Sequence, residues 1–265
     1  MNKVRAAAVA VFFVLMVLFA AIWQGTSVKF KCRRRKKFPQ KFHKVWCWLF
    51  RIRVRVIGKP AGKGVLLVAN HQSYLDIPVL GSTSRMAFVS RHDIANWPMV
   101  GIMVRLQESV LIERKKRGKV GEQMDAIRER LEAGESVAIF AEGTTSAGNG
   151  VQPFKSSLMA AAVGDGTDTT AGHSFVIQPV SIAYVGHHGL PIGYEDRDHC
   201  AWIGDADLVP HVWSLLKGGP VDVVVQYHEP IRYTPGDRKE AAKLAEDVVR
   251  AGLLRAPALW RGAVA

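Results

Sequence analysis

The sequence predicts an α/β protein: a layered domain with a central, largely parallel or mixed β-sheet flanked by helices, preceded by an N-terminal membrane-anchoring helix. Three observations predict it. From residue 52 onward, short apolar runs alternate with helical patterns, as strands joined by crossover helices do. A length of 265 residues suits one full core, with room for a small addition. Residues 6–23, AAAVAVFFVLMVLFAAIW, carry no charge or strong polar group, and about 20 helical residues span a hydrocarbon core.

The elements follow in chain order. Residues 1–28 are expected to form the anchor. Lys3 and Arg5 would also suit a cleaved signal peptide, but the run ends without a clean small-residue cleavage site. KFKCRRRKK follows, with seven basic residues between Lys29 and Lys37. Such a cluster resists translocation, which puts the N-terminus outside and the bulk of the chain in the cytoplasm, at the inner membrane. An anchor lying in the interface is the other reading. Residues 29–60 form a basic-aromatic segment. Trp46, Trp48, Leu49 and Phe50 stand among Lys41, Lys44, Arg51, Arg53 and Arg55, a composition suited to anionic lipid headgroups beside a membrane helix, with a nucleic-acid patch or a solvated face as the alternative.

Residues 61–265 form the main domain. Strands are expected at 52–57, which leads into it, and at 65–69, 86–90, 109–113, 136–140, 175–184 and 221–227. Helices are expected at 75–81, 98–106, 119–133, 155–163, 207–217 and 237–254. In the third of these, Val120, Met124, Ile127 and Leu131 make one apolar stripe. Residues 164–172, GDGTDTTAG, read as a polar, mobile loop.

Charge narrows the function classes. The net charge of +13 belongs to the N-terminal part: residues 1–75 hold 16 Lys and Arg and no acid. The remaining 20 basic and 23 acidic residues leave a net of −3. A basic catalytic face for nucleic acid is not indicated, and no nucleic-acid partner is expected. Cys32, Cys47 and Cys200 are odd in number and form no CxxC pair, which fits a reducing compartment.

Four clusters can carry chemistry. In VLLVANHQSYLDIPVL, a buried strand ends in Asn70-His71, with Asp76 five positions on. Functional groups gather where strands of an open sheet end. A His serves as a general base when a carboxylate fixes its tautomer. Five residues put the two side chains out of phase on a regular helix. They meet if His71 lies in the loop and Asp76 in the first helical turn. A surface histidine and a helix-start aspartate are the plain alternative. In FAEGTTSAGNG, an apolar strand runs into Glu142, Gly143, Thr144, Thr145 and Ser146. Gly143 permits close backbone approach, and the hydroxyls and N–H groups suit an anion; a polar turn is the alternative. In ESVLIERKKRGK, a strand ends in Glu113-Arg114, and Arg is the preferred partner of phosphate; a solvated charge run is the alternative. Finally, His187, His188, Glu195, Asp196, Asp198, His199 and Cys200 look like ligands. Their spacing matches no zinc pattern, so no metal is expected.

Taken in order, NHQSYLD, SVLIER, FAEGTTS and VIQPVSIAY resemble the 1-acylglycerol-3-phosphate acyltransferase family of glycerolipid acyltransferases, over roughly residues 40–235. The resemblance implies that His71 is the general base and Asp76 its orienting partner. It also implies that Arg114 and the Glu142–Ser146 block bind the acceptor's head group. Two positions depart from the family's FPEGTR-S block: Ala141 replaces its proline and Thr145 its arginine. Lys155 is a substitute cation. FAEGTTSAG, PFKSS and AWIGDADLVPHVW look more like the bacterial branch that includes lyso-ornithine lipid acyltransferases. The implied reaction moves a fatty acyl group from acyl-CoA or acyl carrier protein to lysophosphatidic acid, giving phosphatidic acid, without a cofactor. A lyso-ornithine lipid is the alternative acceptor. Backbone N–H groups near Gly143 are expected to hold the oxyanion. A non-catalytic protein binding anionic lipid through residues 29–55 is the competing class.

Overall fold

The computed structural model describes residues 3–97, 99–112, 120–163, 175–193, 195–202, 207–233 and 236–262. Arg114, its basic run and the 164–172 loop lie outside them. The strands are β1 (Ile52–Ile57), β2 (Val65–Ala69), β3 (Ala87–Arg91), β4 (Val110–Ile112), β5 (Val137–Phe140), β6 (Val176–His187), β7 (Leu190–Pro191) and β8 (Val221–Tyr227). They form one sheet in the order β1-β8-β6-β2-β5-β3-β4, with β7 hairpinned on β6. Every neighbour pair is parallel except β6–β8 and β6–β7. The expected largely parallel, mixed sheet is the one observed.

The helices are α1 (Lys3–Lys29), α2 (Phe38–Leu49), α3 (Asp76–Thr83), α4 (Val100–Leu106), α5 (Val120–Glu132), α6 (Ala160–Val163), α7 (Leu208–Lys217) and α8 (Arg238–Arg261). Both faces of the sheet are covered, which is why β2 is apolar throughout. Val65, Leu67 and Ala69 pack with Trp46 of α2 and Leu75, Val79 and Leu80 around α3. Leu66 and Val68 point the other way, toward Ile127 and Leu131 of α5 and Ala245 and Val249 of α8.

The N-terminal third differs from expectation in two respects. The basic-aromatic segment contains a helix, α2, with Pro39 in its first turn. Its Trp46 and Leu49, and Phe50 after it, are buried in the core rather than placed for headgroups, whereas Trp48 is 74% exposed. Moreover, α1 lies along the domain. Ala6, Val17, Ala20 and Gln24 are buried. Phe13 meets the rings of Trp46 and Phe50 at centroid distances of 4.8 and 5.2 Å. Gln24 Nε2 donates to the carbonyls of Arg35 and Leu106. The opposite face of α1 exposes Val11, Phe12, Leu15, Leu18, Phe19, Ile22 and Trp23.

Candidate active site

The site begins where β2 ends. The Asn70 side chain is fully buried. Its Nδ2 donates to the Ile182 carbonyl at 3.0 Å, and its Oδ1 accepts the Ile182 N–H at 2.9 Å. The amide thus takes the place of the next ladder residue, satisfies β6 and frees the main chain to turn. The turn carries His71, and α3 starts at Asp76. His71 Nδ1 lies 2.8 Å from Asp76 Oδ2. The chain therefore folds loop histidine onto helix-start carboxylate, the arrangement that regular helical phase forbids.

Asp76 has no exposed surface. Four donors compensate its loss of water. Oδ2 also accepts the main-chain N–H groups of Gln72 (2.6 Å) and Ser73 (2.9 Å). Oδ1 accepts the Tyr184 hydroxyl at 2.8 Å. Burial, reinforced by the charge of Asp76, holds the Tyr184 phenol well above its ordinary pKa, so it remains a donor. Sequence reasoning missed Tyr184. It stands on β6, 108 residues from Asp76, and only the pairing of β2 with β6 brings them together.

The imidazole is fixed on a second side. Its ring stacks on Phe140 with centroids 4.1 Å apart and planes 14° from parallel. The side chain is 18% exposed, and Nε2 makes no hydrogen bond among the described residues. With Nδ1 held against a carboxylate, Nε2 is the nitrogen available to take a proton.

The second motif locks the first. Glu142 is 1% exposed. Its Oε1 accepts the His71 N–H at 2.7 Å and its Oε2 the Gln152 N–H at 3.1 Å. Burial pushes the Glu142 carboxyl above its ordinary value, and these main-chain hydrogen bonds oppose the shift. The Ser146 N–H and hydroxyl both donate to the His71 carbonyl, at 2.9 and 3.1 Å. Glu142 and Ser146 thus hold the main chain of His71, and Glu142 that of Gln152 as well.

Gly143 has φ 75°, and its N–H donates to the Phe140 carbonyl at 3.1 Å. That N–H is thereby committed within its own turn and is not a ready oxyanion donor. A Cβ at Gly143 would stand 2.8 Å from Lys155 Nζ, so the Lys155 side chain crosses this turn. Thr144 and Lys155 are exposed and Thr145 is half-buried, so these three of the expected head-group residues face the open side of the block. Arg114 lies outside the described residues.

The ligand-like histidines cluster with their rings tilted to one another. The His187 ring lies 4.6 Å from His199 and 4.4 Å from His188. Among the described residues no set of three or more His, Cys, Asp or Glu is arranged to hold a metal ion.

This constellation has relatives. The acyltransferase family model matches residues 51–183. A lyso-ornithine lipid O-acyltransferase of Brucella abortus is 40% identical over 242 residues, 90% of each chain. A 1-acyl-sn-glycerol-3-phosphate acyltransferase of Neisseria gonorrhoeae is 35% identical over 118 residues, 43% of this chain and 46% of that one. The crystal structure of the 1-acyl-sn-glycerophosphate acyltransferase of Thermotoga maritima superposes with a TM-score of 0.66 at 25% identity, covering 96% of this chain and 97% of that one. The segment holding His71, Asp76 and the Glu142–Ser146 block is the segment the family model matches, and the chain belongs to the acyltransferase family as an O-acyltransferase.

Proposed function

We propose that the chain transfers a fatty acyl group from a thioester donor, acyl-CoA or acyl carrier protein, to the free hydroxyl of a lyso-ornithine lipid. The observation that carries the chemistry is His71, pinned through Nδ1 by Asp76 and by the Phe140 stack. In this reading His71 Nε2 removes the hydroxyl proton as the oxygen attacks the thioester carbonyl. The tetrahedral intermediate collapses with loss of the thiolate. The imidazolium returns its proton to that sulfur, so histidine and carboxylate end as they began. Asp76 stabilises the imidazolium between the two steps.

Two features support the acceptor and displace lysophosphatidic acid as first choice. Thr145 stands where the family pattern has an arginine, which removes a forked contact to phosphate. The relatives named for lyso-ornithine lipid are 40 and 38% identical over 90 and 94% of this chain, whereas the likeness to the Neisseria enzyme covers under half of each chain and that to the Thermotoga enzyme, though it spans nearly both chains, is at 25% identity. Lys155, over the Gly143 turn, suits a head group with a single carboxylate.

The exposed face of α1 supports attachment to a membrane, and the basic run from Lys29 to Lys37 that follows it favours the cytoplasmic face of the inner membrane. The apolar side chains of α1 recur at helical spacing along one side, while the other side packs on the domain. That division suits a helix sunk in one leaflet beside its domain. The test offers both lysolipids to purified protein and measures kcat/KM for each. Turnover of lysophosphatidic acid with none of lyso-ornithine lipid overturns the acceptor assignment.

A further inference from the structure

A second polar cleft lies at the opposite end of the sheet from His71. It opens between the starts of β3 and β5, at Ala87 and Ser136, and the loop before β2. His71 follows the far ends of the same parallel strands. The length of β2 separates the two sites by roughly 15 Å at about 3.3 Å per residue. The cleft holds about 390 Å³.

Its walls are basic. Arg35, Lys36, Lys63, Arg85 and Arg130 come from four separate parts of the chain, and Glu108 and Glu135 are the acids among them. Five cations against two carboxylates leave an excess of three positive charges. Arg35 pairs with Glu108 at 3.3 Å, and Lys36 and Arg130 share Glu135. Lys63 and Arg85 are exposed and make no ion pair among the described residues. An excess of cations gathered in a concave wall costs electrostatic repulsion that a bound anion relieves.

We propose that this cleft binds a phosphate ester, with Lys63 and Arg85 as the free cations. A phosphate offers several acceptor oxygens, matching donors that converge from several sides, and Arg forks suit it. Arg35 and Lys36 belong to the single turn after α1. The cleft therefore opens beside the end of the apolar helix, where the headgroup of an anionic phospholipid is the phosphate nearest to hand. The site is separate from the dyad and stands whether or not the acceptor assignment does.

The experiment titrates the full chain, in a neutral detergent, with three probes: dihexanoyl-phosphatidylglycerol, dihexanoyl-phosphatidylcholine and inorganic phosphate. Calorimetry reads the binding. The anionic lipid is expected to saturate at least tenfold more tightly than the zwitterionic one. The double variant K63E/R85E is expected to weaken it at least tenfold, while K217E/K239E, an equal charge change on exposed residues elsewhere, leaves it unchanged. If the charge reversal prevents folding, K63Q/R85Q is titrated instead, with a smaller loss expected. Inorganic phosphate binding with the same dependence on Lys63 and Arg85, and no preference for the lipid, keeps the phosphate site and assigns it to a soluble ester. Absence of saturable binding by any phosphate probe, or equal weakening in both double variants, overturns the proposal.

Discussion

The Glu142 carboxylate accepts the main-chain N–H of His71 at 2.7 Å. Two motifs 71 residues apart are thus one device: the second holds the backbone of the first while Asp76 holds its side chain. Glu142→Gln keeps the shape but removes the charge and turns an N–H toward a main-chain donor. Hydrogen bonds to charged groups are worth about 1.5–3 kcal/mol. The expected outcome is a lower melting temperature together with at least a tenfold lower kcat and little change in KM, read from thermal melts and steady-state rates.

Removing either member of the dyad affects both rate and stability. His71→Ala is expected to cost ~10²–10⁴ in rate and about 1–3 kcal/mol of stability, since it withdraws one donor from the buried Asp76 and the ring that stacks on Phe140. Asp76→Asn is expected to cost as much in rate and to destabilise as well. Its amide would present N–H groups to at least one of the donors that now converge on the carboxylate. Wild-type turnover in folded His71→Ala protein contradicts the mechanism.

Tyr184→Phe withdraws one of the four donors from a fully buried carboxylate. A loss of about 1–2 kcal/mol of support corresponds to a roughly 5–30-fold fall in kcat. KM for the acceptor is expected to stay within about twofold, because the hydroxyl reaches Asp76 and not the open side of the site. Steady-state kinetics on the folded variant checks both.

Acid is expected to unfold the protein through its buried histidines. Burial lowers His43, His199 and His228 to about 4, below the ordinary value of 6.5 that they regain on unfolding. The unfolded chain therefore binds more protons than the folded one between about pH 6.5 and pH 4. Stability is full above that window and falls as pH drops through it. Urea melts at pH 7, 6 and 5 measure the slope. His43→Gln is expected to reduce the proton uptake at pH 5 by about one.

Membrane attachment is expected to survive 1 M salt, where the Debye length is about 3 Å, because the exposed face of α1 is apolar. Replacing Phe12, Leu15 and Phe19 by Ser removes part of that face without touching the buried one. This triple variant is expected to move into the soluble fraction in sedimentation assays, whereas wild-type protein stays with the membranes.

Much of this architecture is legible in the sequence because local pattern and tertiary role agree. Strands 52–57, 65–69 and 221–227 fall where expected, since 65–69 is a continuous apolar run and the other two are rich in β-branched residues. β6 runs past 184 to His187 because β7 and β8 both pair with its end, which local composition does not announce. α8 continues through Pro257 to Arg261, as Ala256 and Trp260 pack beside β6 and β8 and Arg55 donates to the Leu259 carbonyl. The strand end alone leaves His71 and Asp76 open as a surface histidine and a helix-start aspartate; the resemblance of NHQSYLD to the family motif is what points to their pairing. The inward direction of Glu142 and the part of Tyr184 are not legible, because both follow from strand order rather than from spacing. α2 hid behind its aromatics and cations, whose apolar side turns to α1 and α3.

The pairing of β1 with β8 also sets an order of events in the making of the protein. β1 stands at the sheet's edge, and β8 is its one strand partner among the described residues. At about 5–20 residues per second, the ribosome leaves β1 waiting roughly 10–30 s for residues 221–227 to emerge. Throughout that interval the apolar α1 is already outside the ribosome with no finished domain to lie against. A bilayer is the surface available to it, so the nascent chain is expected to reach the membrane before it folds.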